Sequence, residues 1–550
     1  MKKIYIDHDE KYNGNGSLNS PFNTLEELYS LKIEHPVTIL IKKGNIFRFS
    51  LIDLNGIFYN NTSEKSIMRS YGEGSNPVWI TKSENNSHIH TNKIQNFTIT
   101  NIDFYAHENG TQKPYIFGIP TGNQSGDCNL EISQCTFMGT SRSAHSDNGR
   151  IATIYLEVED KRFNYVNKIT IKNCHFNFVN SGIYIHGNTT PKSTNNNLGD
   201  SYKCYGIKIK SCSFTNIINA GILLVACASK NSNYDLKDEY TSGFENIYYS
   251  SYRTDVYNSE KDKLAEQAQW DAPIWFTLCN KIIGQYFSIH GSGPGHPDRM
   301  AIDFDYHCWD CIIRHGYTSN NSRNVMFISG PMARTIFKSK YSIDKPLDIT
   351  DEEWYYTRRY GTGNNLYEQV ISFNDGLMRD ASSINPDSVK INANRYVYDC
   401  VIRNCAFIDT ISSRNIFIIG AYPTDNNKCG PTTLTIEGCL FYWKFLETTC
   451  LINKETIPMI NGLKKIIINN TIFYSERWTE RLLNELGLFT INNVIVSDPR
   501  FKNLPIVPPV SLDAALEIFS MLYSPSFSHE PSKNILDNLF RRESNQTSNK

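Results

Sequence analysis

The sequence predicts an all-β protein, a parallel β-helix, from a repeated spacing, the residue types within it and the distance between copies. Seven short stretches carry an apolar or small residue at positions 0, 2 and 5 and a phenylalanine at position 7. Directly successive copies recur every 32 to 39 residues, a period typical of stacked solenoid repeats. The copies begin at Phe97, Leu130, Ile169, Ile207, Cys400, Leu434 and Ile466.

Each copy predicts a strand, a corner and a second short strand. Positions 0 and 2 are the alternating inward side chains of one strand, and the step of three to the next inward residue indicates a bend over Asn, Ser, Lys or Gly. The units consist of Ile, Val, Phe, Tyr and Thr with Asn and Gly between them, which favours strands and tight turns over helices.

The chain resembles the right-handed parallel β-helix superfamily of pectate-lyase-like and tailspike-like proteins. The opening segment Ile4 to Leu28 is similar to the first strand, turn and helix of that superfamily, with Thr24 and Glu27 as a capping box for the helix. The stretches Ala301 to Gly330 and Asn364 to Asp375 are similar to its coils, and Val496 to Phe501 to its closing segment.

The resemblance implies a right-handed parallel β-helix with an N-terminal capping helix and long loop insertions on one side. It covers about residues 1 to 500 and is specific for the fold rather than the activity. We expect an N-terminal strand and capping helix over 1–33, the β-helix over 34–500, and a C-terminal cap with a polar tail over 501–550.

Composition limits the classes of binding partner and the cellular compartment that we expect for the chain. Charged residues make up 20% of the chain and the formal charge is −1, which disfavours nucleic acid and an anionic membrane as partners. The N-terminus has no apolar segment of a signal peptide, and no apolar stretch is long enough to span a membrane. We therefore expect synthesis in the cytoplasm and, for a phage protein, association with the virion or release by lysis.

Cysteine usage agrees with a reducing compartment. At least five of the 14 cysteines occupy the same inward corner of the repeat, where thiols act as small apolar spacers rather than disulfide partners. His307, Cys308 and Cys311 resemble a metal cluster, but Cys311 falls on an inward position and no second CxxC is present. The core-thiol interpretation is therefore favoured over structural zinc.

A third strand follows each motif, and aligning these strands predicts one face that carries chemistry. If Ile183, Ile185, Ile302 and Phe304 point inward, the residues between and beside them point outward. The outward set contains an acid, a base, a cation and rings, namely Tyr184, His186, Trp275, Asp303 and Asp305, with Arg379 and Asp380 two rungs further on.

Long polar insertions leave the solenoid beside the same strands, as is typical of a binding face. They span 188–204, 227–241, 250–271 and 331–363. The loop His290 to Met300 leads into the aspartate strand and contributes His296 and Arg299, although an ordered turn explains any single histidine as well.

The outward positions before the corners hold a row of cations, Lys172, Lys210, Arg314 and Arg403. This row predicts either a basic ladder for an acidic polymer or a charged, solvated exterior, and Glu437 interrupts it.

Two enzyme chemistries and one binding role compete for this face. In a polysaccharide lyase, Asp303 and Asp305 hold calcium while His296, Arg299 or Arg314 acts as base or carboxylate clamp. In an inverting glycoside hydrolase, Asp303 and Asp305, or either with Asp380, are the acid and the base. In a glycan-binding or structural spike, the same groove binds without cleavage.

We expect a bacterial surface or extracellular polysaccharide as the partner, with β-elimination of a uronate-containing glycan as the first hypothesis. Trp275, Tyr184, His186, Arg314 and Arg379 are the predicted substrate-binding residues. The predicted oligomeric state is a monomer or a homotrimer.

Overall fold

The structure is a computed structural model, and it describes the larger part of the chain. The described residues are 1–53, 56–110, 112–140, 151–158, 166–187, 204–217, 219–251, 272–291, 300–305, 308–321, 323–327, 362–375, 391–393, 397–409, 417–418, 433–443, 466–475, 484 and 486–496.

The chain forms two compact units. The N-terminal unit comprises Met1–Gln269 and Cys279–Ile283, and the C-terminal unit comprises Trp270–Leu278 and Gly284–Lys550.

The N-terminal unit contains one short 3₁₀ helix, Glu26–Tyr29, and many strands of two to eleven residues. The strands are β1 (Lys2–Ile6), β2 (Val37–Lys42), β3 (Ile46–Arg48), β4 (Leu51–Ile52), β5 (Ser66–Tyr71), β6 (Val78–Ile80), β7 (Ile89–Ile94), β8 (Phe97–Thr100), β9 (Asp103–Tyr105), β10 (Ile116–Pro120), β11 (Asp127–Ser133), β12 (Thr136–Met138), β13 (Ala152–Glu157), β14 (Asn167–Lys172), β15 (His175–Asn177), β16 (Ser181–His186), β17 (Cys204–Tyr205), β18 (Ile207–Ile217), β19 (Ile222–Val225), β20 (Cys227–Ala228) and β21 (Gly243–Ser251).

The strands of the C-terminal unit are similarly short. They are β22 (Ile274–Thr277), β23 (Ile283–His290, whose first residue belongs to the N-terminal unit), β24 (Met300–Phe304), β25 (Ile312–Ser319), β26 (Arg323–Phe327), β27 (Thr362–Gly363), β28 (Leu366–Phe373), β29 (Ile391–Ala393), β30 (Val397–Tyr398), β31 (Cys400–Arg403), β32 (Ala406–Asp409), β33 (Phe417–Ile418), β34 (Leu434–Glu437), β35 (Leu440–Trp443), β36 (Ile466–Asn469), β37 (Ile472–Ser475), β38 (Thr490–Asn492) and β39 (Ile495–Val496).

Among the described residues, each unit has three long ladders of parallel strands and one short parallel pair, β17 with β20 in the N-terminal unit and β27 with β30 in the C-terminal unit. In the N-terminal unit the first ladder is β1, β2, β5, β8, β11, β14, β18 and β21, the second is β3, β6, β9, β12, β15 and the later half of β18, and the third is β4, β7, β10, β13, β16 and β19. In the C-terminal unit the corresponding ladders are β25, β28, β31, β34, β36 and β38, then the end of β28 with β32, β35, β37 and β39, then β22, β24, β26, β29 and β33. The predicted fold class, an all-β right-handed parallel β-helix, is confirmed.

The inward residues of successive coils form continuous columns. Phe104, Phe137, Phe176 and Phe214 stack with ring centroids 4.7 to 5.2 Å apart, and each is fully buried. The phenylalanines of the last three motif copies stack in the same way in the C-terminal unit. Burial of an aromatic ring contributes a few kcal/mol, about 3–5 kcal/mol by truncation to Ala, so these columns hold the coils together.

The corner between the first two strands of a coil is a single left-handed residue. Asn101, Asn173, Asn404 and Asn470 have φ of 57°, 52°, 55° and 48°. Asn tolerates this conformation because its short polar side chain bonds locally, which explains the bend that the spacing predicts.

The cysteine residues of the repeat lie in the core, as predicted. Cys135, Cys174 and Cys212 are fully buried, and each thiol donates to the carbonyl two residues earlier. Throughout the part of the chain that the structure describes, every cysteine is a free thiol.

The N-terminal capping box is wrong. The helix is a four-residue 3₁₀ turn that follows Leu25, and no side chain caps it. Glu27 instead accepts a hydrogen bond of 2.6 Å from Asn13 Nδ2, which removes the carboxylate that the box requires. The predicted division at residues 33 and 500 stays a prediction, since 501–550 lie outside the described residues.

Candidate functional site

The aspartate strand lies in the third ladder of the C-terminal unit. Ile302 and Phe304 are fully buried in the core, where Phe304 stacks on Phe327 at 4.9 Å. Since side chains alternate along a strand, Asp303 and Asp305 lie on the opposite, outer face. We call Trp275, Asp303 and Asp305 the aspartate cluster.

Strand register brings the aspartate cluster together as predicted. Trp275 on β22 is the direct partner of Asp303 on β24, and the indole Nε1–H of Trp275 donates to Asp305 Oδ2 at 2.9 Å. The Trp275 ring also packs against Ala272 and Met300. This packing fixes the direction of the indole N–H, so Trp275 positions one carboxylate.

Burial of the two aspartates is the feature that the sequence did not predict. Asp303 and Asp305 are each 5% exposed although they lie on the outer face. Taking a carboxylate out of water is costly unless hydrogen bonds replace the solvent. The burial of two carboxylates side by side therefore makes this the candidate site.

The structure does not bring Arg314 to the aspartate cluster. Arg314 lies on β25 in the first ladder, where its guanidinium donates to Gln285 Oε1 at 3.0 and 3.2 Å. The other predicted partners, His296, Arg299, Arg379 and Asp380, lie outside the described residues.

The cations of the predicted basic ladder alternate with carboxylates. Arg314 is in register with Glu368, which is in register with Arg403, and Arg403 Nε donates to Glu368 Oε2 at 3.1 Å. In the N-terminal unit, Lys172 lies 3.2 Å from Glu131 and Lys210 lies 2.7 Å from Glu245. These pairs favour the charged, solvated exterior over the basic ladder, the two interpretations that the sequence leaves open.

The other predicted binding residues, Tyr184 and His186, lie on the outer face of the third ladder of the N-terminal unit. There they have neighbours that the sequence analysis missed, Tyr155 and Glu157, which are their direct partners on the adjacent strand. His186 Nδ1 lies 3.7 Å from Glu157 Oε1, and the Tyr155 hydroxyl donates to Glu157 Oε2 at 3.3 Å. His186, followed by the Tyr155 hydroxyl, lowers the pKa of Glu157 below its ordinary value in spite of partial burial.

A sequence signal for these neighbours exists. The stretches ATIYLE and SGIYIH have the same alternation, with Tyr155 matching Tyr184 and Glu157 matching His186. The strand Ala152–Glu157 follows a longer gap after its motif than the other third strands, so aligning strands by distance from the motif omits it.

Calcium remains a prediction for the aspartate cluster. Calcium takes about six to eight oxygen ligands, and Asp303 and Asp305 supply carboxylates of the right kind. One Asp305 oxygen already accepts from Trp275, and among the residues that the structure describes no group of three or more His, Cys, Asp or Glu side chains surrounds a cation site. The described residues therefore supply only part of the oxygen ligands that calcium requires.

The thiols near the aspartate strand belong to the core. Cys308 and Cys311 are fully buried and donate to the carbonyls of Phe276 and Trp309 at 3.3 and 3.4 Å. His307 lies outside the described residues. The core-thiol interpretation fits both cysteines.

Asp375, which ends the stretch Asn364 to Asp375, has a different environment from Asp303 and Asp305. It is fully buried, and its carboxylate accepts hydrogen bonds from Asn321, Asn324, Ser372 and Thr318, including the backbone N–H of Asn321. Neutral donors on both carboxylate oxygens replace its hydration, which is typical of a structural carboxylate.

Comparison with solved structures finds polysaccharide-active proteins of similar architecture. A GH136 lacto-N-biosidase from Eubacterium ramulus is similar over 73% of this chain and 64% of its own, with 15% identity and a TM-score of 0.47. An alginate lyase from a Paenibacillus species covers 82% of this chain and 99% of its own, with 9% identity and a TM-score of 0.34. The Dettilon tailspike protein covers 90% of this chain and 68% of its own, with 8% identity and a TM-score of 0.34.

The chain therefore spans less than two thirds of the length of the lacto-N-biosidase. No protein-family model matches the chain, and no curated protein matches it. In the described part of the chain, no helix has the length and apolarity to cross a membrane.

Proposed function

We propose that this chain binds a polysaccharide and cleaves it by hydrolysis with inversion, with Asp303 and Asp305 as the catalytic pair. The observation that supports the proposal is the aspartate cluster, in which two carboxylates share one strand face and an indole N–H fixes one of them. Side chains two residues apart on one face are roughly 6.5 to 7 Å apart at Cβ. Inverting glycosidases separate their carboxyl groups by about 6.5–9.5 Å to leave room for a water.

The hydrogen bond from Trp275 suggests separate roles for the two carboxyl groups. An N–H donor stabilises the ionised form of its acceptor, so Asp305 is the general base that takes a proton from the attacking water. Asp303 is the acid that protonates the oxygen of the leaving sugar. The part of the Trp275 ring that stays exposed stacks on a sugar beside the scissile bond.

Hydrolysis is preferred to β-elimination because of the exterior charges. The basic row was one support for the lyase hypothesis, as a track for uronate carboxylates, and three of its cations, Lys172, Lys210 and Arg403, pair with glutamates. The hydrolase requires only the two aspartates and a water.

The test is a panel of bacterial capsular and O-antigen polysaccharides incubated with the full chain. New reducing ends without an unsaturated uronate support hydrolysis, and nuclear magnetic resonance of the first product identifies inversion at the anomeric carbon. Unsaturated uronate in the product indicates β-elimination and overturns the proposed chemistry. Binding without cleavage of any glycan overturns the proposal of an enzyme.

Variants of the two carboxylates test the assignment. We expect Asp303→Asn and Asp305→Asn to lower kcat by about 10²–10⁴-fold, since each removes a proton-transfer group. Because both side chains are buried, circular dichroism and thermal melting must show a folded chain. The matched control is Glu157→Gln, an outer-face carboxylate of the N-terminal unit, which should keep the rate. Wild-type rates in both folded aspartate variants would exclude the pair.

A further inference from the structure

The outer face of the third ladder in the N-terminal unit carries a continuous row of rings. His90, Phe117, Tyr155 and Tyr184 are in register on β7, β10, β13 and β16. Successive ring centroids are 4.7, 5.6 and 4.9 Å apart. We call these four residues the ring row.

The ring row differs from the core columns in how its rings meet. His90 and Phe117 are nearly parallel at 17°, but Tyr155 and Tyr184 are tilted by 52°. Tilted rings do not cover one another, so each tyrosine keeps part of its face open, in agreement with its partial burial. An open aromatic face is a surface for the apolar C–H side of a sugar ring.

A cavity of about 490 Å³ lies against the two tyrosines. The other residues that line it include the amide residues Asn85 and Gln112 and the basic residue Lys113. Ligand cavities commonly fall at about 300–1,000 Å³, and this one holds a sugar unit with room for its substituents. Rings beside amides match a pyranose, which has an apolar face and a rim of hydroxyls.

The charge of the cavity selects among sugars. Lys113 is the one formally charged side chain in the described lining, and Glu157 lies outside that lining beside His186. The Lys113 charge also acts on the ring row. Partial burial and, second to it, the positive charge of Lys113 lower the pKa of His90 below its ordinary value. The formal charge of the described lining is therefore positive, which favours an anionic ligand over a neutral one.

We propose that the ring row and its cavity form a binding site for an acidic glycan. Tyr155 and Tyr184 stack on a uronate ring, Lys113 pairs with its carboxylate, and Asn85 and Gln112 bond its hydroxyls. The inference rests on the proposed function only in taking the ligand to be a carbohydrate, and it names the chemical class of that carbohydrate.

The experiment measures binding rather than turnover, with the full chain carrying Asp303→Asn so that no ligand is cleaved. Isothermal titration calorimetry is run with hexamers of galacturonate, mannuronate and hyaluronan, and with the same hexamers after reduction of the carboxylates to alcohols. We expect at least one acidic hexamer to bind about tenfold more tightly than its reduced counterpart.

Substitutions then separate the charge from the rings. Lys113→Gln should weaken binding of the acidic hexamer about tenfold and leave the reduced hexamer unchanged. Tyr155→Ala and Tyr184→Ala should weaken both, and Tyr155→Leu, which keeps apolar packing without the ring, serves if the alanine variant fails to fold. Lys237→Gln and Tyr12→Ala are the controls, since both residues are exposed and lie outside the row.

Three results overturn the inference: no hexamer binds, acidic and reduced hexamers bind equally, or Lys113→Gln binds like the parent. Failure of the proposed function is a separate outcome, because it leaves this binding intact while the chain with native Asp303 cleaves nothing.

Discussion

The third ladder carries polar chemistry on its outer face in both units, but the two faces differ in access. In the N-terminal unit, Tyr155 and Tyr184 lie beside an open cavity, and the Glu157 side chain is 40% exposed. In the C-terminal unit, Asp303 and Asp305 are each 5% exposed. The same alternation of side chains sets both faces. The ladder therefore determines which side chains point outward, and local packing determines how much solvent reaches them.

The difference suggests a division of labour. Open rings and an exposed cation suit the recognition of a long, solvated ligand, because contact requires little desolvation of charge. Buried carboxylates suit proton transfer, because electrostatic interactions are stronger where water is excluded.

The largest expected effect on stability comes from the most deeply buried carboxylate. Asp375→Ala removes the acceptor of the buried Asn321 backbone N–H and one acceptor of the Thr318 and Asn324 side chains, so we expect the free energy of unfolding to fall by about 3–5 kcal/mol in denaturant titration. Glu157→Ala, the exposed counterpart of the N-terminal unit, should cost less than about 1 kcal/mol. Equal losses would contradict the contrast between buried and exposed carboxylates.

Acid provides a second test, in the interior of the N-terminal unit. Complete burial lowers the pKa of His88 from 6.5 to about 4, so the folded chain holds a neutral imidazole while the unfolded chain protonates it below pH 6.5. Stability should therefore fall as the pH drops from 6.5 to about 4, by up to about 3 kcal/mol from this group, and then level off. The measurement is the difference in unfolding free energy between the native chain and His88→Gln across this range. A difference that does not change with pH would contradict the burial of a neutral His88.

The smallest effect is expected from the paired exterior cations. Lys172→Gln with Lys210→Gln should leave binding of an acidic hexamer within about twofold of the parent, because both lysines are already paired with carboxylates. Calorimetry beside Lys113→Gln gives the comparison. A loss of affinity as large as that of Lys113→Gln would support the basic ladder as a binding surface.

Sequence spacing predicted the core because burial repeats at fixed intervals. Ile99, Ile132 and Ile171 stack rung on rung, and the register of Trp275 with Asp303 follows from the same alternation. The structure places Trp275, Asp303 and Asp305 side by side, and their role as a site stays a prediction.

Features that depend on neighbours from other coils were not predictable in the same way. The pairing of the exterior cations was not predictable because Glu368 lies on a strand without the repeat motif, so its alignment with Arg314 and Arg403 becomes visible only from strand pairing. The capping box failed because Asn13 bonds Glu27 from a separate segment. The alternation of side chains also predicts that Asp303 lies on the outer face of its strand. It does not predict how much of the Asp303 side chain is exposed to solvent.

The column of buried cysteines has a consequence for the reactivity of the sulfur atoms in the folded chain. Burial raises the pKa of Cys135 and Cys174 well above the ordinary value, so both remain protonated at neutral pH. The thiolate is the form that attacks disulfides and reacts with oxidants. Both thiols are therefore unreactive while the coils stay closed, and alkylating reagents would mark these residues only when a coil opens.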